Sequence, residues 1–247
     1  MARLPRLMFA GQAHHLLQLG NDHQPIFRDD QDRSQFLHFL RDASRQFHVA
    51  IHAYVLMPNQ WQLLATPSEA RSLSRMVQWL GRYYVPWFNR KYARSGTLFQ
   101  GRFKTSVLES GPYVTACCRY LEMSPVLEGL VALPGDFRWS SYGHHAGLKP
   151  DPLLTDHLTY WAIGNTPFQR EAAYKNLLVQ PMDEAESLIL KLAIQKEDVV
   201  GSPQFKLELG KLAGRNLERG KRGRPAKTAD ADAVKNGPAV APRGDGS

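Results

Sequence analysis

Cysteine is scarce in this chain of 247 residues: there are two, Cys117 and Cys118, and they are neighbours. Adjacent thiols cannot build a disulfide framework, which excludes the stapled secreted scaffolds and points to a reducing compartment. Long apolar runs are also missing. No stretch approaches the roughly 20 residues needed to cross a bilayer, so a helical membrane protein is not expected. The segment Met1–Arg6 carries positive charge, but the apolar stretch after it is short and broken at Gly11-Gln12. No signal peptide is read there, and the cytoplasm is the expected location. Internal repeats are absent too. Acidic residues are outnumbered, 23 Asp and Glu against 31 Lys and Arg, giving a formal charge of +8. That balance favours a polyanionic partner, with nucleic acid ahead of the alternatives.

What is present is enough to fold. Hydrophobic residues make up 43% of the chain, which supports a globular protein with one sizeable core and an appendage, or two small domains. His14 to Leu19 reads as a first strand ending at the turn Gly20-Asn21-Asp22. Asp29 or Asp30 can cap a helix in which Phe36, Leu37, Leu40, Ala43 and Phe47 keep helical spacing. From Val49 the period becomes two, with Val49, Ile51, Ala53 and Val55 on one face and His52, Tyr54 and Leu56 on the other. Pro58-Asn59 turns the chain, and Gln60 to Thr66 forms the second arm of a hairpin.

A helix beginning near Ser68 or Glu69 carries Leu73, Met76, Val77, Leu80, Tyr84, Trp87 and Phe88. Pro86 is expected to kink or end it. Arg102 to Glu109 reads as a fourth strand. A third helix opens at Gly111-Pro112 and is expected to stop before Pro125. The order strand, helix, strand, strand, helix, strand is the ferredoxin-like split βαβ pattern, an α+β class. Residues 155–218 are mostly helical in pattern, marked by Leu188, Leu192, Phe205, Leu209 and Leu212.

Several strings carry a family resemblance. His52-Ala53-Tyr54-Val55-Leu56-Met57-Pro58-Asn59-Gln60-Trp61-Gln62-Leu63-Leu64 is similar to H-A-Y-x-L-M-P-N-H-x-H-L-L. Arg119-Tyr120-Leu121-Glu122-Met123-Ser124-Pro125-Val126 resembles R-Y-I-x-x-N-P-V. Gly20-Asn21 with Ile26-Phe27, Phe88-Asn89-Arg90, Gly96 to Lys104, and Trp139-Ser140-Ser141-Tyr142 follow in the same order. Together they span roughly residues 3–147 and resemble the REP-associated tyrosine transposases, a group of HUH single-strand DNA transposases. The resemblance implies a ferredoxin-like processing domain and a substrate of single-stranded or hairpin DNA.

It also assigns roles. Tyr120 stands at the catalytic nucleophile, whose phenolate attacks phosphorus and leaves a 5′-phosphotyrosine link. The metal-ligand positions are Gln60, Gln62 and Ser124, where the family has two histidines and an asparagine for a divalent cation, Mg²⁺ or Mn²⁺. Gln60 and Gln62 are two apart on a strand and point to one face. A glutamine carbonyl is a weak ligand where imidazole is a strong one. His14, His15 and His52 are the candidate replacement ligands.

For the nucleic acid, Arg82, Arg90, Lys91, Arg94, Arg102 and Lys104 would neutralise phosphates. Tyr83, Tyr84, Trp87 and Trp61 could stack unpaired bases. In the tail, Lys221 to Lys227 contains Arg222-Gly223-Arg224-Pro225, similar to an AT-hook that places arginines in the minor groove of AT-rich duplex DNA.

The expected organisation is a transposase-like domain over residues 1–150, a helical region over 151–218 and a basic disordered tail over 219–247. The first functional reading is a protein that binds hairpin DNA and is impaired in metal-dependent cleavage. The alternatives are an active tyrosine nickase and strand transferase, and a ferredoxin-like module that binds RNA or protein. Either a monomer or a homodimer is compatible with the sequence.

Overall fold

A computed structural model describes residues 6–217 of the chain. The tail expectations, Arg222 and Arg224 included, lie outside the described residues. The chain runs through β1 (Ala13–Leu19), α1 (Asp30–Gln46), β2 (Val49–Met57), β3 (Gln60–Pro67), α2 (Ser72–Lys91), β4 (Lys104–Leu108) and α3 (Pro112–Leu127). It continues through α4 (Tyr142–His145), α5 (Leu158–Trp161), α6 (Pro167–Val179), α7 (Glu184–Lys196), β5 (Val199–Val200) and α8 (Pro203–Ala213). The sheet order is β2-β3-β1-β4-β5. The first four strands pair antiparallel, as the ferredoxin-like pattern requires, and β5 adds a parallel edge beside β4. That fifth strand was not anticipated, because two valines carry no period.

Each sheet face has its own core. On one, Phe36 and Leu40 of α1 and Met76, Leu80, Tyr84 and Phe88 of α2 close over Leu16, Trp61 and Leu63. On the other, Val114, Cys117 and Leu121 of α3 join Tyr174, Leu190 and Ala193 over Ala53, Val55 and Leu64. Each large apolar side chain removed from water contributes about 1.5–3 kcal/mol. Asp29 caps α1 by accepting from the Asp32 amide at 2.9 Å, while Asp32 accepts in return from the Asp29 amide.

Gly20 closes the turn after β1. A Cβ there would sit 2.1 Å from the Gln24 carbonyl oxygen and 2.9 Å from the Ile26 side chain, so no larger residue fits without moving the turn.

Four expectations need correction. The alternation of β2 breaks at a bulge between Ile51 and Ala53, so Val49, Ile51, Tyr54 and Leu56 share one core while Ala53, Val55 and Met57 share the other. Helix α2 passes through Pro86 to Lys91; Pro86 is exposed, so the carbonyl left without its amide partner faces water. Helix α3 likewise passes Pro125, which lies in its last turn. In the C-terminal region Phe205 and Leu209 are buried, but Leu188, Leu192 and Leu212 are exposed, and Leu190 and Ile194 pack inward instead.

Candidate functional site

On β1 the residue alternation sends Ala13 and His15 towards α3, and on β3 it sends Gln60, Gln62 and Leu64 the same way. The register pairs Leu17 with Gln62 and His15 with Leu64, so His15 and Gln62 are diagonal neighbours. They meet: His15 donates from Nε2 to Gln62 Oε1 at 2.8 Å. His15 is fully buried, and its Nδ1 has no hydrogen-bond partner. Burial lowers its pKa to about 4, with the Gln62 hydrogen bond opposing the shift. The ring is neutral at physiological pH.

Gln60 is held separately. Its amide donates to Glu128 Oε1 at 2.8 Å, just past the end of α3. Ser124 is buried and its hydroxyl donates to the Tyr120 carbonyl at 2.7 Å, inside its own helix. The three positions at which the family resemblance puts metal ligands are therefore each engaged in an internal hydrogen bond. Among the described residues no group of three or more His, Cys, Asp or Glu side chains is placed to hold a metal ion. The residues present do not fit the divalent cation of the resembling family.

Tyr120 lies half-buried on α3, its ring edge-on to His15 at a centroid distance of 6.0 Å. Its hydroxyl is pushed up to about 12, first by burial and then by the nearby Cys117 and Glu128. A nucleophilic phenolate needs the opposite shift. The fold thus brings Tyr120, Gln60, Gln62 and Ser124 to one face, together with His15 and Glu128.

Of the replacement ligands, only His15 reaches this place. His14 is tied at Nδ1 to the Gln12 carbonyl and at Nε2 to the Phe9 amide. His52 sits in the β2 bulge, donating to the Thr155 carbonyl and accepting from Thr66.

The cationic set separates. Arg82, Arg90 and Arg102 are exposed and Lys104 is half-buried. Arg94 bonds Gln24 Oε1 and the Thr97 carbonyl. Lys91 lies 2.7 Å from Asp29 and 2.8 Å from Asp32, so it locks α2 to the start of α1 and its charge is already met. The aromatics separate too. Trp61 and Tyr84 are buried in the first core, with the Tyr84 hydroxyl donating to the Ile26 carbonyl. They present no face to a base. Tyr83, 46% exposed, and the half-buried Trp87 remain at the surface.

One constellation was not singled out from the sequence. Glu122 of α3 is fully buried and accepts from Ser141 (2.5 Å), His145 (2.6 Å) and Tyr174 (2.7 Å). It ties the tyrosine-bearing helix to the Trp139–Tyr142 segment, α4 and α6. The available signal was an acidic residue on the inward face of a helix, two places after Tyr120.

Residues 10–124, which hold β1 to β4 and most of α3, match the family described as transposase IS200-like. Over these residues the chain is similar to the IS200-like transposases. Two solved structures resemble this IS200-like chain. One is a REP-associated tyrosine transposase bound to a REP hairpin, at 16% identity and a TM-score of 0.48, covering 64% of this chain and 93% of that one. The other is a putative transposase from Deinococcus radiodurans R1, at 18% identity and a TM-score of 0.33, covering 52% and 97%. No curated protein matches the chain. Among the described residues of this IS200-like protein, no helix is long and apolar enough to cross a membrane.

Proposed function

We propose that this IS200-like protein recognises single-stranded hairpin DNA of the REP type and is impaired in metal-dependent cleavage. The observation that carries this reading is the internal engagement of Gln60, Gln62 and Ser124 by Glu128, His15 and the Tyr120 carbonyl. Bringing a cation to Gln62 Oε1 would cost the bond to His15 and leave a buried N–H unmet, a penalty of about 1–3 kcal/mol. An amide oxygen offers a transition metal little in return. The raised pKa of Tyr120 adds to the same conclusion, since the hydroxyl stays protonated near neutrality.

Binding asks for less than cleavage. It needs cations beside a folded scaffold, and Arg82, Arg90, Arg102 and Lys104 remain accessible for phosphates. Such contacts weaken with salt, by a slope of about 0.9 per neutralised phosphate on duplex DNA. Tyr120, Gln60, Gln62 and Ser124 are then the remains of a cleavage site on the α3 face of the sheet, with Arg82 and Arg90 on α2 at the other face.

The test is a native gel with a labelled hairpin and a scrambled strand of equal length, run with and without Mg²⁺ or Mn²⁺. The reading expects a preference for the hairpin that is unchanged by metal. Equal binding of the two strands would support a general RNA- or protein-binding module instead. Binding that strengthens sharply with Mn²⁺ would contradict the loss of the metal site.

A further inference from the structure

Three concavities adjoin one another along α1, away from the tyrosine site. The first, about 420 Å³, is walled by Tyr54, Phe137, Trp139 and Tyr142, with Arg138 and Lys149 on its rim. The second, about 160 Å³, shares Leu37, Trp139 and Asp151 with the first and adds Arg41. The third, about 490 Å³, shares Arg41 and Leu153 with the second and adds Arg45 and His48. Shared walls make them one trough. Ser34 to Arg45 covers roughly 16 Å of helix at about 1.5 Å per residue.

The chemistry changes along that length. At one end the walls are aromatic: Trp139 is 8% exposed, and Phe137 and Tyr142 are half-buried. Towards the other end lie Arg41 and the exposed Arg45. The carboxylates at the trough are already engaged. Asp151 accepts from the Tyr54 hydroxyl at 2.7 Å and from the Leu153 amide at 3.0 Å. Asp30 takes Arg138 and the Trp139 indole N–H, and the exposed Asp42 lies 3.6 Å from His38. Arg138 lies over the Trp139 ring, 4.7 Å from its centroid. Arg41, Arg45 and Lys149 have no carboxylate among the contacts described.

A slot with aromatic walls followed by a cationic groove matches a polymer that alternates π-faces with negative charge. We infer that this trough is a second nucleic-acid track, which holds an unpaired stretch of single-stranded DNA with a base in the Trp139–Tyr142 slot and phosphates on Arg41, Arg45 and Lys149. It shares no residue with the set Arg82, Arg90, Arg94, Arg102 and Lys104. It also gives the Trp139-Ser140-Ser141-Tyr142 string a ligand-facing role beyond covering the β2 edge, where the Leu56 amide bonds the Trp139 carbonyl.

The test compares two probes on the full chain: an unstructured oligothymidylate and a blunt hairpin with no unpaired overhang. R41A/R45A/K149A changes three surface cations and leaves the cores untouched. A second variant, Gly143→Leu, adds bulk at the wall of the slot; a Cβ at Gly143 meets nothing within 4 Å, so its first added carbon clashes with nothing. The triple variant is expected to lose about tenfold or more in oligothymidylate affinity, with the salt slope falling by about 2. Gly143→Leu should weaken the same probe, and both variants should bind the blunt hairpin like the parent chain. With iodouracil in the strand, crosslinks should map to residues 137–144.

Unchanged oligothymidylate binding in both variants, or crosslinks confined to α2 and β4, would overturn the track. That outcome leaves the hairpin reading standing. If oligothymidylate binds through the trough and the blunt hairpin does not bind at all, the track holds and the hairpin reading fails.

Discussion

Glu122→Ala tests how α3 is held. The carboxylate is fully buried and takes hydrogen bonds from Ser141, His145 and Tyr174. Alanine removes all three acceptor contacts at once and leaves three donors in a space that water reaches poorly. An unsatisfied buried donor costs about 1–3 kcal/mol, and removing one side of a buried charged contact costs about 3–5 kcal/mol. Some relaxation is expected, because the Ser141 hydroxyl can turn fully to the Tyr54 carbonyl, 3.4 Å away. A loss of roughly 4 kcal/mol follows. Urea denaturation reads this directly: with a slope of about 2 kcal/mol/M, the midpoint should fall by about 2 M. Tyr174→Phe removes one hydrogen bond to a charged acceptor and should cost about 1.5–3 kcal/mol. A loss below 1 kcal/mol for Glu122→Ala would refute the view that this carboxylate ties α3, and with it Tyr120, to α4 and α6.

Other expectations can be checked on the same protein. His14, His15 and His52 each have a pKa lowered from 6.5 to about 4, burial being the largest cause. The unfolded chain therefore binds more protons between those values, so stability is complete above about pH 6.5 and is lost as pH falls towards 4. At pH 5.5 each histidine should cost about 1.4 kcal/mol, roughly 4 kcal/mol for the three; urea midpoints at pH 7.5 and 5.5 that coincide would contradict this. Gly20→Ala should destabilise by about 2 kcal/mol or more, since the new methyl meets backbone rather than a flexible side chain; a thermal midpoint within error of the parent would sink that argument. The triple change Gln60→His, Gln62→His and Ser124→Asn should raise Mn²⁺ affinity more than about tenfold, read by calorimetry. A variant that binds hairpin DNA but no more metal than the parent would show that the site has changed beyond those three side chains.

The fold was legible where the sequence repeats a period and punctuates it. Asp29 caps α1, Pro58-Asn59 turns the hairpin and Pro112 opens α3, each by a local rule that tertiary packing reinforces. It was not legible where a single residue changes the phase. His52 adds one position to β2 and moves Ala53 and Val55 to the opposite core, which strict alternation cannot foresee. Pro86 was read as a kink or an end and Pro125 as a stop, yet a helix face open to water, or its last turn, tolerates the missing amide.

The site divided in the same way. The motif strings brought Gln60, Gln62, Tyr120 and Ser124 to one face, because strand and helix periods are regular. The partners could not be read from them. His15 and Glu128 come from other elements, and only strand register and the end of α3 bring them to Gln62 and Gln60. Trp61 was misplaced as a base-stacking ring for a related reason: alternation showed it opposite the glutamines, but the packing of α1 and α2 decides whether that face is open.

The most direct test of the central claim is a covalent-adduct assay. Labelled hairpin DNA, shown to be bound on a native gel, is incubated with the protein and Mg²⁺ or Mn²⁺, then run under denaturing conditions beside Tyr120→Phe. The account predicts no shifted band in either lane. A shifted band in the parent that vanishes with Tyr120→Phe would contradict it, and would show that Tyr120 still cleaves DNA despite the engaged Gln60, Gln62 and Ser124.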